Sequence, residues 1–257
     1  MKYFEVSYSS LFDKELYLNP KINGLFNEVN KYTLKNINKV CKLYSNKVFK
    51  VPSYIKECAW GNEKIFLAFS NKLFKVIDTS KNDTSIQLHP IKKEIWYPMK
   101  ESVINDGKKD IVVNTTDEII IKENTVHSLR KNSVVFEVQD NTLFNHLETI
   151  RIYDESNREI HEDKFYSHNM PMFRNEIKII KRINSKKCIL KNNSFIFSFD
   201  NVKVLNNKEY KINKNELWYL SKGTKILSDG DYIVINCKFF KIWGYYESIL
   251  YFKTRYA

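Results

Sequence analysis

From about residue 63 onward, apolar positions fall into short runs separated by polar turns. "KLFKVIDT" (72–79) is apolar and β-branched, and "TSIQLHP" (84–90) alternates Ile86 and Leu88 against Ser85, Gln87 and His89. "KEIWYPM", "DIVVNT", "EIIIKE" and "SVVFEVQ" follow, divided by "NDGKKD" and "RKNS". Strands at such short, regular spacing predict a barrel or a sandwich. "ETIRIYD" (148–154) predicts another strand, with Thr149, Arg151 and Tyr153 on one face. A loop around "YSHNMPMFRNE" leads into a second β-rich block from about residue 177 to the end. In that block Asp229-Gly230-Asp231 reads as a hairpin turn. Ahead of the strands, Leu34, Ile37, Val40, Cys41 and Tyr44 recur at spacings of three and four, which predicts an amphipathic helix packed on the sheet.

Length changes the picture little: 257 residues suit one large all-β domain or two smaller ones with a sizeable core. No apolar run approaches the 18 or so residues of a membrane-spanning helix. The first residues, MKYFEVSYSSLFDKE, carry acidic groups where a secretory signal needs an apolar stretch, so a cytoplasmic location is expected. Cys41, Cys58, Cys188 and Cys237 lie far apart with no C-x-x-C pair, which predicts reduced thiols rather than a disulfide framework or a cysteine metal site. The net charge of +12 attracts anions in general. The basic residues are spread out, and clusters such as Lys181-Arg182 and Lys186-Lys187 are short. No basic stripe interleaved with aromatics appears, so nucleic acid is not an expected partner.

The chemistry concentrates in the middle. Gln87 and His89 are two apart on a strand, so both side chains point to one face. Glu94 follows five residues later, and His127 comes about thirty residues further, in "IKENTVHSLRKNSVVFEVQ". Two imidazoles, a carboxylate and an amide oxygen suit zinc or another divalent first-row metal with a position left for water or substrate.

The text around these residues resembles the class I mannose-6-phosphate isomerases. "NKLFKVIDTSKNDTSIQLHP", "KKEIWYPM", "IKENTVHSLRKNSVVFEVQDN", "ETIRIYD" and "REIHEDK" are similar to that family's motifs, in the family's order, over residues 72 to 164. The resemblance implies a mainly β protein with a metal-binding cupin (jelly-roll) barrel, a second, smaller cupin-like β-domain and a few N-terminal helices. The expected segments are 1–62, a mixed stretch packing on the barrel, 63–170, the metal-binding domain, and 171–257, the C-terminal domain. It implies one divalent ion, zinc by preference, on Gln87, His89, Glu94 and His127. Arg151 corresponds to the family's active-site arginine, Lys92 to the lysine two before the glutamate ligand, and Glu137 and Gln139 to a glutamate–glutamine pair. Arg151, Lys92 and Glu137 are thereby implied to meet substrate, the first two also catalytically. The implied activity interconverts an aldose phosphate and a ketose phosphate, most simply mannose 6-phosphate and fructose 6-phosphate. The rival class is a non-catalytic or regulatory metal-binding cupin that binds a sugar or a protein. Neither implies an oligomeric state.

Departures from the pattern carry expectations too. His89-Pro90 is followed almost at once by Glu94, and only about thirty residues separate Glu94 from His127. The family's helical wall is therefore expected to be missing and the site to stand open. The inserted His146 reads as a loop residue, and the second β-rich block shows no repeat of the ligand residues.

Overall fold

The central β-strand of the molecule is buried on both faces, and its neighbours explain why. In the computed structural model, which describes residues 47–66, 68, 72–89, 92–140, 150–153, 177–182 and 186–236, there are twenty strands and no helix among those residues. Seven strands form one antiparallel sheet: β2 (Ser53–Cys58), β3 (Gly61–Phe66), β4 (Lys72–Asp78), β6 (Glu94–Pro98), β9 (Asp117–Ile121), β11 (Val134–Asp140) and β13 (Ile177–Lys181). Their order is β13-β9-β6-β11-β4-β3-β2, with β11 in the middle.

Side chains alternate across this sheet. On one face lie Phe66, Phe74, Tyr97 and Phe136; Phe74 stacks on Phe136 with ring planes 2° apart and centroids 6.4 Å apart. The opposite face carries Ile77, Trp96, Ile119, Ile121 and Val135, and against them pack Ile104, Val113 and Leu129. Those three come from a smaller sheet of β7 (Ser102–Asn105), β8 (Asp110–Val113) and β10 (Ser128–Leu129), ordered β10-β7-β8. This apolar layer gives way, along the same face, to charged and polar side chains. A third, two-stranded ladder joins β5 (Ile86–Leu88) to β12 (Ile150–Tyr153). The tight β2–β3 turn needs its glycine: Gly61 has φ +144°, and a Cβ there would lie 2.2 Å from the Asp78 carbonyl oxygen.

A second compact unit takes in residues 47–51 and 186–236 among those described. It pairs two four-stranded antiparallel sheets. One has the order β1-β18-β15-β20, from β1 (Val48–Lys50), β15 (Ser194–Ser198), β18 (Leu217–Leu220) and β20 (Tyr232–Asn236). The other has the order β14-β19-β16-β17, from β14 (Cys188–Ile189), β16 (Val202–Asn206), β17 (Lys208–Ile212) and β19 (Lys225–Ile226). Ile196, Val202, Val204, Ile212, Leu220 and Tyr232 fill the space between them, none more than 2% exposed.

The structure departs from the sequence expectations in specific places. Asp229-Gly230-Asp231 closes no hairpin, because β19 pairs with β14 and β16 while β20 pairs with β15 in the other sheet. Strand pairing, not composition, also sets the unit boundaries. β2 and β13 belong to the seven-stranded sheet, which therefore reaches beyond residues 63 and 170, whereas β1 joins the second unit through β18. The helix expected around Leu34–Tyr44, and His146, lie outside the described residues. No helix among those described is long and apolar enough to cross a membrane.

Candidate metal centre

Two strands and two loops bring the chemistry together. Gln87 on β5 and His127 form an isolated antiparallel bridge, with Gln87 N–H donating to the His127 carbonyl at 3.0 Å and His127 N–H returning at 2.9 Å. His89 sits one residue past β5, and Asn124 N–H donates to its carbonyl at 2.8 Å, so the two histidine loops are tied backbone to backbone. Glu94 opens β6. The donor atoms of His89, Glu94 and His127 all lie within 4.8 Å of one another, and the three residues are 2%, 2% and 0% exposed. The open site expected from the short loops is not what the fold builds. The helical wall is absent between Glu94 and His127, where the chain is strand and turn throughout, yet the site side chains are buried.

The protonation of His127 follows from its neighbours. Its Nδ1 lies 2.8 Å from the Thr125 carbonyl, an acceptor only, so Nδ1 carries the proton. Nε2 of a neutral ring is then a bare lone pair. It has no hydrogen-bond partner and faces Glu94 Oε2 at 3.4 Å. On the other side His89 Nε2 faces Glu94 Oε1 at 3.2 Å. Burial, and then the charge of Lys92, push the His89 imidazolium down to about 3. His127 Nε2, His89 Nε2 and the Glu94 carboxylate thus converge in a buried space, and the orphaned His127 nitrogen is costly there unless a donor or a cation meets it. A histidine whose second nitrogen is anchored on a backbone carbonyl is also the usual way a metal-ligating imidazole is oriented. The residues fit a divalent ion by this chemistry.

Gln87 completes the set. Its Nε2 lies 3.4 Å from His89 Nε2, and Ser85 Oγ donates to its Oε1 at 2.9 Å. The amide oxygen and nitrogen occupy equivalent positions. Turned over, the carbonyl oxygen faces the imidazoles and the NH2 finds Ser85 Oγ, which accepts as well as it donates.

Around this set is a charged ladder on the same face. Antiparallel register places Gln139 opposite Glu94, and Glu137 between Trp96 on one neighbour strand and Lys75 on the other. Lys92 Nζ pairs with Glu94 Oε1 at 2.6 Å, although Lys92 is only 4% exposed. Burial opposes charge on Glu94, but the Lys92 ammonium beside it holds its carboxyl well below the usual range. Lys75 Nζ lies 3.0 Å from Glu63 and 3.4 Å from Glu137. Burial disfavours its charge, and Glu137, Glu63 and Glu94 together outweigh that and hold the ammonium above its ordinary range. Gln139 Nε2 donates to Glu137. Burial, and then the charge of Glu94, push the Glu137 carboxyl up to about 8. Arg151 stands directly opposite Gln87 in the β5–β12 ladder, with a register shift just after it, and cross-strand partners share a face.

Of the sequence candidates, Gln87, His89, Glu94, His127 and Lys92 are brought together, Glu137 joins them through Gln139, and Arg151 is placed beside Gln87. Sequence reasoning missed Lys75, Glu63 and Trp96. One signal was available: a lysine in the middle of the apolar run "KLFKVID" needs a buried counter-charge.

No protein-family model matches the chain, and no curated protein matches it by sequence. Solved structures do. The mannose 6-phosphate isomerase of Bacillus subtilis superposes with a TM-score of 0.58 at 14% identity, over 74% of this chain and all of that one. A phosphomannose isomerase variant from Salmonella typhimurium gives 0.55 at 9% identity, over 74% of this chain and 99% of that one. A mannose 6-phosphate isomerase bound with zinc and yttrium gives 0.56 at 9% identity, over 74% and 100%. At these identities the likeness establishes the fold. The chain is a mainly β protein with the cupin fold of the mannose-6-phosphate isomerases.

Proposed function

We propose that the chain is a metal-dependent aldose–ketose isomerase acting on a sugar phosphate, most simply mannose 6-phosphate and fructose 6-phosphate. The observation that carries the proposal is the bare, buried Nε2 of His127 aimed at Glu94, with His89 closing the triangle. Gln87, His89, Glu94 and His127 would hold the ion, with zinc the first candidate; a similarly folded isomerase was solved with zinc. When bound, the metal supplies Lewis-acid stabilisation of substrate oxygens.

The remaining work falls to the chain's own groups. Isomerisation moves one proton between C1 and C2 and another between O1 and O2, through an enediol whose developing negative charge must be met. Lys75 and Lys92 place two ammonium groups in the buried ladder, where fixed positive charge acts at low dielectric. Arg151, permanently charged and forked, donates to a phosphate or to an enediolate oxygen. Glu137, buried on the same face and held by Gln139, is proposed as the carboxyl that carries the proton.

A second proposal, a metal-holding cupin that binds a sugar or a protein without turnover, is favoured by one observation: no helix is inserted between Glu94 and His127. One experiment separates the two. The purified chain is stripped with chelator and reloaded with zinc, manganese or cobalt. Metal content is then measured, and mannose 6-phosphate conversion is followed in a coupled assay. The isomerase proposal expects metal-dependent turnover. Saturable binding of mannose 6-phosphate with no turnover selects the second. Absence of metal uptake removes both.

A further inference from the structure

The segment "KKEIWYP" (92–98) recurs as "KNELWYL" (214–220), with Lys, Glu, Trp and Tyr in identical positions. Both copies place the tryptophan two residues after the glutamate, on the same side of a strand. In both, the indole N–H donates to that glutamate: Trp96 Nε1 to Glu94 Oε2 at 3.1 Å, and Trp218 Nε1 to Glu216 Oε2 at 2.8 Å. The surroundings differ. Glu216 Oε1 takes the ammonium of Lys50 from β1, and Asn213 N–H donates to its Oε2. Glu94 instead lies between His89, His127 and Lys92. The indole-to-carboxylate contact therefore forms in two settings, each with a lysine ion pair and only one with histidines, and the E-x-W segment itself is its common cause.

From this we infer that Trp96 is a positioning residue that fixes the Glu94 carboxylate for the metal before the metal arrives. The inference rests on the metal proposal above. Trp96 is 2% exposed and anchored in the apolar layer of Ile77, Ile119 and Val135, so it is a rigid donor. It binds Oε2, the oxygen facing the His127 lone pair. Its ring also stands edge-on to the His127 imidazole, with centroids 5.4 Å apart and planes at 82°. One side chain thus orients two of the donors, as supporting groups around metal ligands do.

The test compares Trp96→Phe with Trp218→Phe, using stripped protein titrated with zinc in a calorimeter and the visible spectrum of the cobalt-loaded protein. Trp96→Phe keeps the aromatic contact and removes the N–H. Zinc affinity is expected to fall by about 10- to 100-fold and the cobalt bands to shift. Trp218→Phe is expected to leave both within about twofold of wild type, since additivity holds for sites with no shared partners. Should Trp96→Phe fold poorly, benzothienylalanine at position 96 keeps the indole's volume without its N–H and serves the same comparison. Wild-type zinc affinity and cobalt spectrum in the Trp96 variants overturn the inference alone. A wild-type chain that takes up no metal overturns the metal proposal and the inference together.

Discussion

Glu94 sits at 2% exposure among two imidazoles and a buried lysine, whereas Glu216, in the other unit, leans on Lys50, whose side chain is 56% exposed. The two carboxylates occupy the same place in the same short segment. What differs is the interior beneath them. The first unit spends its inner face on Lys75, Glu137, Gln139 and the histidines; the second fills its interior with Ile196, Val202, Val204, Leu220 and Tyr232. Glu94 takes the ammonium of Lys92, which is nearly as buried as the carboxylate, and stands beside two imidazoles. Glu216 lies nearer the rim, where a lysine on a flexible stem supplies the cation, with water screening the pair. Depth of burial and the two histidines, rather than the motif, separate the candidate metal site from the ion pair of the second unit.

The sharpest way to break the comparison is His127→Ala. Loss of one imidazole from a four-donor set is expected to weaken metal binding by more than about 100-fold, read by metal analysis after gel filtration. Full stoichiometry in that variant would put the buried carboxylate on the same footing as Glu216. Next in size, Arg151→Ala is expected to keep its metal and to lower turnover by about 100- to 1,000-fold, measured in the coupled assay with mannose 6-phosphate.

The second unit is probed by its core. Leu220 is fully buried, and Leu220→Ala is expected to cost about 2–5 kcal/mol in denaturant unfolding while zinc affinity stays at the wild-type value. A pH series sharpens the first unit. Glu137 titrates near 8 in the folded chain against an ordinary value of 4.5. Over that window the folded state holds a proton the unfolded state has lost. Stability of the metal-free protein therefore falls as pH rises from about 5 to about 8 and then levels off. Melting temperatures of wild type and Glu137→Gln across this range check it: the variant's profile is expected to be shallower. The smallest effect is at the rim, where Lys50→Ala is expected to cost under about 1 kcal/mol, discounted for exposure, with no change in metal binding.

Much of the site was readable before any fold was known. A period-two strand puts Gln87 and His89 on one face, and Glu94 and His127 were singled out by residue type and by the flanking text. Lys75 and Glu63 were not: the lysine inside the apolar run "KLFKVID" was a local signal, but which carboxylates meet it depends on the neighbouring strands. The twofold use of E-x-W-Y also went unread; with no histidines around Glu216, the second copy did not look like a repeat of the ligands. The open site expected from the short loops failed for a related reason. Loop length measures chain between two points, whereas exposure depends on everything else that packs over them.

By itself, then, the amino-acid order determined most of the strand pattern and put Gln87 and His89 on one face of a strand, since both follow from local periodicity. Tertiary structure alone decided which sheet each strand joined, how deep Glu94 and Glu216 lie, and that the Thr125 carbonyl meets His127 Nδ1, turning Nε2 toward Glu94. Those outcomes depend on contacts between residues far apart in the chain, such as Gln87 with His127 and Lys75 with Glu137, and register across a sheet is settled only when all its strands are in place.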